Sequence, residues 1–334
     1  MINFRFHIVS LTAVLLALGI GLVLGTTFLD DATINGLKSQ LDGLESDLDR
    51  AQARNDQQQA QLGAFEDEAT GLDEQLGERL FAGQLTGDPV LVVSTRGVDD
   101  QWVDAVTASL VQADADVLGV WWLTERLALD GESDVADLSA ALELSTDDSD
   151  RLRRNLAVQL ADVLFGAADV SAEDVTPTEP GTAEPALLAR LREAGFVEYE
   201  LPDGVDGDVV QLPPAGMRIV VVDGPDASLP ADQVVLPVLR ELTADGPMPV
   251  VATQPTVDTG DDVDPATQPQ LVPALRDDDT LRQRISGVDD LDRVAGRVAT
   301  VLATVDAVPG APVIGQYGTG DGADRLLPAV AGST

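Results

Sequence analysis

The chain has no cysteine. Disulfides, thiolate metal centres, cysteine nucleophiles and a lipid-bearing cysteine are therefore excluded. It has one histidine, His7, and one lysine, Lys38, both near the N-terminus. A region beyond residue 88 thus has no imidazole for a Ser-His-Asp relay or a zinc site. It also has no lysine for a phosphate-binding loop or a Schiff base. No G-x-G-x-x-G follows a predicted strand, so the usual dinucleotide signal is missing. Methionine occurs only at 1, 217 and 248. Aromatic residues are 4% of the chain, too few for the two girdles of an outer-membrane barrel, and evenly spaced alternating strands are lacking as well.

Positive charge is scarce too. There are 20 Lys plus Arg against 58 Asp plus Glu in 334 residues, a formal net charge of -38. No basic stripe exists to neutralise phosphates, which excludes nucleic acid as a partner. An excess of carboxylates with almost no lysine fits a protein kept soluble at high ionic strength, where screening relieves self-repulsion. A codon bias toward Asp, Ala, Gly, Val and Arg would give a similar composition.

What is present is organised around the N-terminus. Residues 8–29 carry no charge and as a helix would span about 33 Å, enough for a bilayer core. Arg5 lies before the run and Asp30, Asp31 after it. This predicts a single-pass anchor over 8–29, with residues 1–7 cytoplasmic and the bulk of the chain outside the cell membrane. The rival is a cleaved signal peptide, but no A-x-A-like site follows. Gly21-x-x-x-Gly25 allows close approach of two such helices.

A heptad pattern begins at once. Position a reads Ile34, Leu41, Leu48, Asn55, Leu62, Ala69, Leu76; position d reads Leu37, Leu44, Ala51, Gln58, Phe65, Leu72. This predicts a coiled-coil stalk over 30–82. The glycines at 36, 43, 63, 71 and 77 fall off the seam. Asn55 at an a position favours a parallel pair, the only orientation open to two chains anchored in one membrane. The expected dimer interface is Gly21, Gly25, Leu37, Leu41, Leu44, Leu48, Asn55 and Leu62. The e and g positions offer no clear opposite-charge pairs, and a single helix folded back on its own domain is the other reading.

Residues 88–318 alternate strand and helix patterns. Strands are expected at 89–94, 116–122, 196–200, 217–222 and 249–253. Helices are expected at 101–111, 150–165, 184–194, 229–243 and 292–307. This order predicts an α/β layered domain with a mainly parallel sheet, followed by a disordered tail over 319–334. The acidic clusters 258–264 and 277–279 attract attention as hard-cation sites, but they lack calcium-loop spacing and read as solvated loops. Trp121-Trp122 reads as core, and Tyr317 as a turn residue packed on the sheet. No catalytic residue, metal ligand or cofactor site emerges.

Three stretches carry a resemblance. They are FRFHIVSLTAVLLALGIGLVLGTTFLDD with the coil behind it, Gly287-Val-Asp-Asp-Leu-Asp with Gly296-Arg-Val-Ala-Thr-Val-Leu-Ala, and Gly315-Gln-Tyr-Gly-Thr-Gly320. Together they resemble the actinobacterial MctB family of copper transport proteins, over most of the chain and in order. The resemblance implies a cell-envelope protein with a role in copper transport or homeostasis. Some relatives are associated instead with division-site proteins that control cell-wall hydrolysis. The alternative from the architecture is a non-enzymatic dimeric scaffold whose stalk and head bind cell-wall or division proteins outside the membrane.

Overall fold

The computed structural model describes residues 7–24, 82–168, 184–202, 205, 209–213, 215–256 and 270–329. The chain divides into two units, Met1–Ala69 and Thr70–Thr334. The predicted stalk, with its heptad positions and Gly25, lies outside the described residues.

In the first unit, α1 (His7–Leu24) is a helix of 18 residues, long and apolar enough to cross a membrane, and none of it is buried. At 1.5 Å per residue it spans about 27 Å. Thr12 turns its hydroxyl back to the carbonyl of Ile8 at 2.6 Å, so its polar group is satisfied within the helix.

The second unit is built on a seven-stranded sheet in the order β3-β2-β1-β4-β5-β6-β7. The strands are β1 (Pro89–Thr95), β2 (Asp116–Leu123), β3 (Val197–Glu200), β4 (Arg218–Val222), β5 (Val250–Thr253), β6 (Ser286–Val288) and β7 (Gln316–Tyr317). The Val-rich runs of β1, β4 and β5 are buried on both faces, as strands covered by helices on both sides must be. Side chains alternate between layers. Val90 and Val92 face α2 (Asp100–Gln112) and α8 (Val294–Asp306). Leu91 and Val93 face α4 (Ser149–Ala168) and α6 (Val235–Leu242) on the other side, with α3 (Glu132–Ala141), α5 (Ala186–Glu193) and α7 (Leu271–Asp277) completing that layer. The tryptophan pair is split the same way, Trp121 to the α4 side and Trp122 to the α2 side, both buried as core.

The sheet is mixed. β1 runs parallel to β2 and to β4, and the β4–β5, β5–β6 and β6–β7 pairs are also parallel. β3 runs antiparallel to β2, which the alternating pattern did not foretell. The cause is local: α5 ends beside the C-terminal end of β2. Gly195, at φ 73°, turns the chain straight into β3, where Val197 pairs with Leu123. Although α3, α4 and α5 separate β2 from β3, they leave the chain at the C-terminal end of β2, so β3 starts there and has to run back.

Two further differences have physical causes. The helix expected from 229 begins at Val235, because Pro230 and the turn after it delay helical pairing; Pro237 then fits the first turn, where its missing N–H costs nothing. The tail expected to be disordered from Thr319 is held by hydrogen bonds as far as Arg325: Thr319 and Gly320 donate to Asp289, and Arg325 forms a bridge with Tyr317.

The segment entering β1 is fastened as well. Leu85 is fully buried in the α2–α8 layer. Gly83 donates to the Asp114 carboxylate at 2.8 Å, and Arg218 of β4 forms an ion pair with Asp88 at 2.5 Å.

Candidate functional site

In open α/β sheets, ligands are taken beyond the C-terminal ends of the strands, where the strand order reverses. Here that point lies between β1 and β4. It is bridged: the Ser228 N–H donates to the Arg96 carbonyl at 2.7 Å. A Cβ at Gly97 would lie 2.4 Å from the Asp226 carbonyl, so the two loops touch backbone to backbone. Arg96 itself is engaged, lying over the Trp122 ring at 4.3 Å and paired with Glu198 at 2.6 Å.

The polar groups gather instead beyond β5, β6 and β7. Asp289 and Asp290 follow β6 directly. Asp289 accepts from the N–H groups of Thr319 (2.8 Å) and Gly320 (3.0 Å) and pairs with buried Arg276 of α7 at 2.5 Å. Arg276 also donates to the carbonyls of Tyr317 (2.8 Å) and Asp321 (3.1 Å). The loop after β7 therefore wraps the Asp289 carboxylate with backbone donors, the kind of nest that holds anions. It must be glycine-built: a Cβ at Gly318 would fall 1.6 Å from Asp289 Oδ1.

Asp290 is 1% exposed and left-handed, at φ 62°. Its Oδ1 accepts from the hydroxyls of Thr256 (2.8 Å) and Thr319 (2.9 Å). Burial opposes its ionisation most strongly, but Thr319, Thr256, Asp289 and the Arg293 charge together hold it below the ordinary carboxylate value. Gly296 completes the arrangement, since a Cβ there would lie 2.0 Å from the Asp290 carbonyl. A left-handed aspartate against an obligatory glycine explains the spacing of the Gly287 to Gly296 stretch.

On the two preceding strands of the sheet, Asp223 after β4 and Gln254 after β5 fix α7. Asp223 accepts from the Leu271 N–H at 3.0 Å and Gln254 from the Val272 N–H at 2.9 Å. Burial pushes the Asp223 carboxyl up to about 6, against the pull of the Gly224 and Leu271 N–H groups. A carboxyl raised from 3.8 to about 6 on folding adds stability that is complete below pH 4 and lost as pH rises through 6. Urea melts of wild type and Asp223→Asn at pH 4, 5, 6 and 7 check this. Over that window the wild type should lose about 2 kcal/mol relative to the variant; parallel pH profiles would contradict it.

Gly21 sits on α1, with nothing within 4 Å of a Cβ built there. Gly25, Leu37, Leu41, Leu44, Leu48, Asn55 and Leu62 lie outside the described residues, as does the acidic cluster 258–264. In the other cluster Asp278 is a local cap: it accepts from the N–H groups of Thr280 and Leu281 and from Arg240. Its burial resists ionisation most, yet Leu281, Arg240 and Thr280 hold it below the ordinary value. Asp277 and Asp279 are exposed. Among the described residues no group of three or more His, Cys, Asp or Glu side chains could hold a metal ion. The soft donors Met217 and Met248 are packed in the core. A hollow of about 730 Å³ lies against α3, away from the Asp289 cluster, lined in part by Leu129, Asp130, Val135 and Leu144. Sequence reasoning missed Arg276, Thr256 and Gln254. The signal that could have flagged their surroundings was the density of glycines around an Asp pair.

The Asp289 cluster unites the two C-terminal stretches that sequence set apart, 287–296 and 315–320. Across the chain, residues 1–328 match the family model described as "Copper transport outer membrane protein, MctB". The chain belongs to the MctB family. A protein of Mycobacterium tuberculosis named "Copper transporter MctB" is 32% identical over 97% of this chain and 98% of its own length. A protein of the same name from Mycobacterium leprae is 31% identical, covering 98% of this chain and 99% of its own length. The MctB match thus takes in α1, the sheet and the Asp289 cluster together.

Proposed function

We propose that this MctB-family chain is a membrane-anchored cell-envelope protein that acts in copper transport or homeostasis, by binding and presentation rather than catalysis. The observation that carries the reading is the family match across residues 1–328, which includes α1 as well as the head. Arg5 before the apolar run and Asp30, Asp31 after it favour an N-terminus in the cytoplasm and a head outside.

Copper here is cargo. Cu(I) favours thiolate and thioether donors and Cu(II) favours imidazole, whereas the methionines of the head serve its core. The chain's part is therefore assigned to assembly: α1 at Gly21 and Gly25 and the heptads behind it would pair with a second copy, and the stalk and head would bind other envelope proteins. A strain lacking the chain should be more sensitive to copper and hold more of it. Growth inhibition and cell copper content measure this. Unchanged values for both would overturn the reading.

A further inference from the structure

The hollow of about 730 Å³ against α3 has the size of a ligand site, for which the range is roughly 300–1,000 Å³. α3 turns Leu138 and Ala141 to the core. Its opposite stripe, Glu132, Val135, Ala136, Ser139 and Ala140, lines the hollow at helical spacing, and the loop with Leu144 and Asp147 lines it too. Ala136 and Ala140 are exposed and Val135 and Leu144 half-buried, so among the described residues no other element covers this stripe.

The surroundings are acidic and unevenly neutralised. Asp134 and Asp137 pair with Arg126, Glu143 with Arg190 and Asp150 with Arg153. The three carboxylates on the hollow itself, Asp130, Glu132 and Asp147, are exposed and make no ion pair or side-chain hydrogen bond among the described residues. No Lys, Arg or His lines the hollow. A bare cation is a poor occupant, because no three of these carboxylates converge on one point. A second copy is a poor one too, since it brings the same net charge of -38 and is repelled. The chain's own segments 169–183 and 257–269 hold no Lys or Arg to offer. An apolar floor beside unpaired carboxylates is complementary to a segment that is both apolar and cationic.

We propose that the hollow beside α3 is a docking site for a cationic peptide segment of another envelope protein, which sets Lys or Arg side chains against Asp130, Glu132 and Asp147 and an apolar side chain on Val135 and Leu144. This gives the head's contact with other proteins a surface and rests on that part of the proposed function; because binding is read on the purified chain, its failure is distinguishable from unchanged copper tolerance.

Fluorescence anisotropy on the full chain in detergent tests it with three labelled peptides: RLAKALARL, its acidic counterpart ELAEALAEL, and RSGKSGSRS, which keeps the cations and lacks the apolar residues. The first should bind, the second should not, and the third should bind more weakly than the first. Neutralising the hollow with Asp130→Asn, Glu132→Gln and Asp147→Asn together should weaken RLAKALARL about tenfold. Removing three exposed charges elsewhere, with Asp104→Asn, Asp162→Asn and Glu241→Gln, should change its affinity by less than about twofold, because only the general attraction of the chain is reduced. Ala136→Arg, at an exposed helix position that tolerates arginine, places a cation in the hollow and should abolish binding. A circular dichroism spectrum and a cooperative melt check that each variant folds. If RLAKALARL does not bind, if both triple variants weaken it equally, or if binding survives Ala136→Arg, the docking site does not exist. Equal affinity for RLAKALARL and RSGKSGSRS would overturn the contact with Val135 and Leu144.

Discussion

Replacing Asp289 by alanine destabilises the head by about 3–5 kcal/mol, the range for removing one partner of a buried ion pair. The loss is large because three kinds of group are stranded at once. Arg276, whose side chain is 4% exposed, keeps its charge without its carboxylate. The Thr319 and Gly320 N–H groups lose the acceptor around which their loop is wound. β7, only two residues long, then depends on its β6 pairing and the Arg325 bridge. Asp289→Asn retains an acceptor for one backbone donor but not the charge, so it should fall between. The long contact of exposed Asp150 with half-buried Arg153, at 3.4 Å, is the control: Asp150→Ala should move stability by no more than about 0.5 kcal/mol. Chemical unfolding followed by tryptophan emission reads all three variants. A cost under about 1 kcal/mol for Asp289→Ala would mean that the motif cluster is not what fastens the sheet edge.

The second large effect concerns α1. Leu15→Arg with Leu16→Arg places two charges at the middle of an 18-residue apolar helix. Each costs about 2.5–3.5 kcal/mol at a helix centre in membrane insertion, so the pair costs about 5–7 kcal/mol in addition to the lost leucines. The doubly substituted chain should leave the membrane fraction and appear as soluble or degraded protein. The fraction surviving an alkaline carbonate wash measures this. If the variant sediments like wild type, α1 is not the anchor.

The fold was legible wherever a local pattern carries it. β1, β2, β4 and β5 read as apolar runs because both faces are buried, and α2, α4 and α8 read from their spacing. Other elements depend on distant residues. α7 has seven residues with Pro273 in its first turn, and its start is set by Asp223 and Gln254 from other strands. β6 and β7 have three and two residues, too short for any period to show. α3 has a weak apolar face and is held by arginines from outside it: Arg126 on Asp134 and Asp137, and Arg190 on the Ala141 carbonyl. The candidate site was half legible. Its glycines and the Asp pair stood out as motifs. The partner that gives them their role, Arg276, lies on a different element and is one arginine among many in the sequence. A disordered tail over 319–334 was expected because the stretch reads as small and polar; over 319–325 that expectation missed that small residues are what the Asp289 carboxylate needs around it.

The most direct test of the account is copper tolerance in a strain lacking the chain, restored with either the full chain or one without residues 7–24, at matched protein levels. The full chain should restore growth on copper and the shortened chain should not. Equal restoration by both would contradict the claim that this protein acts from the membrane.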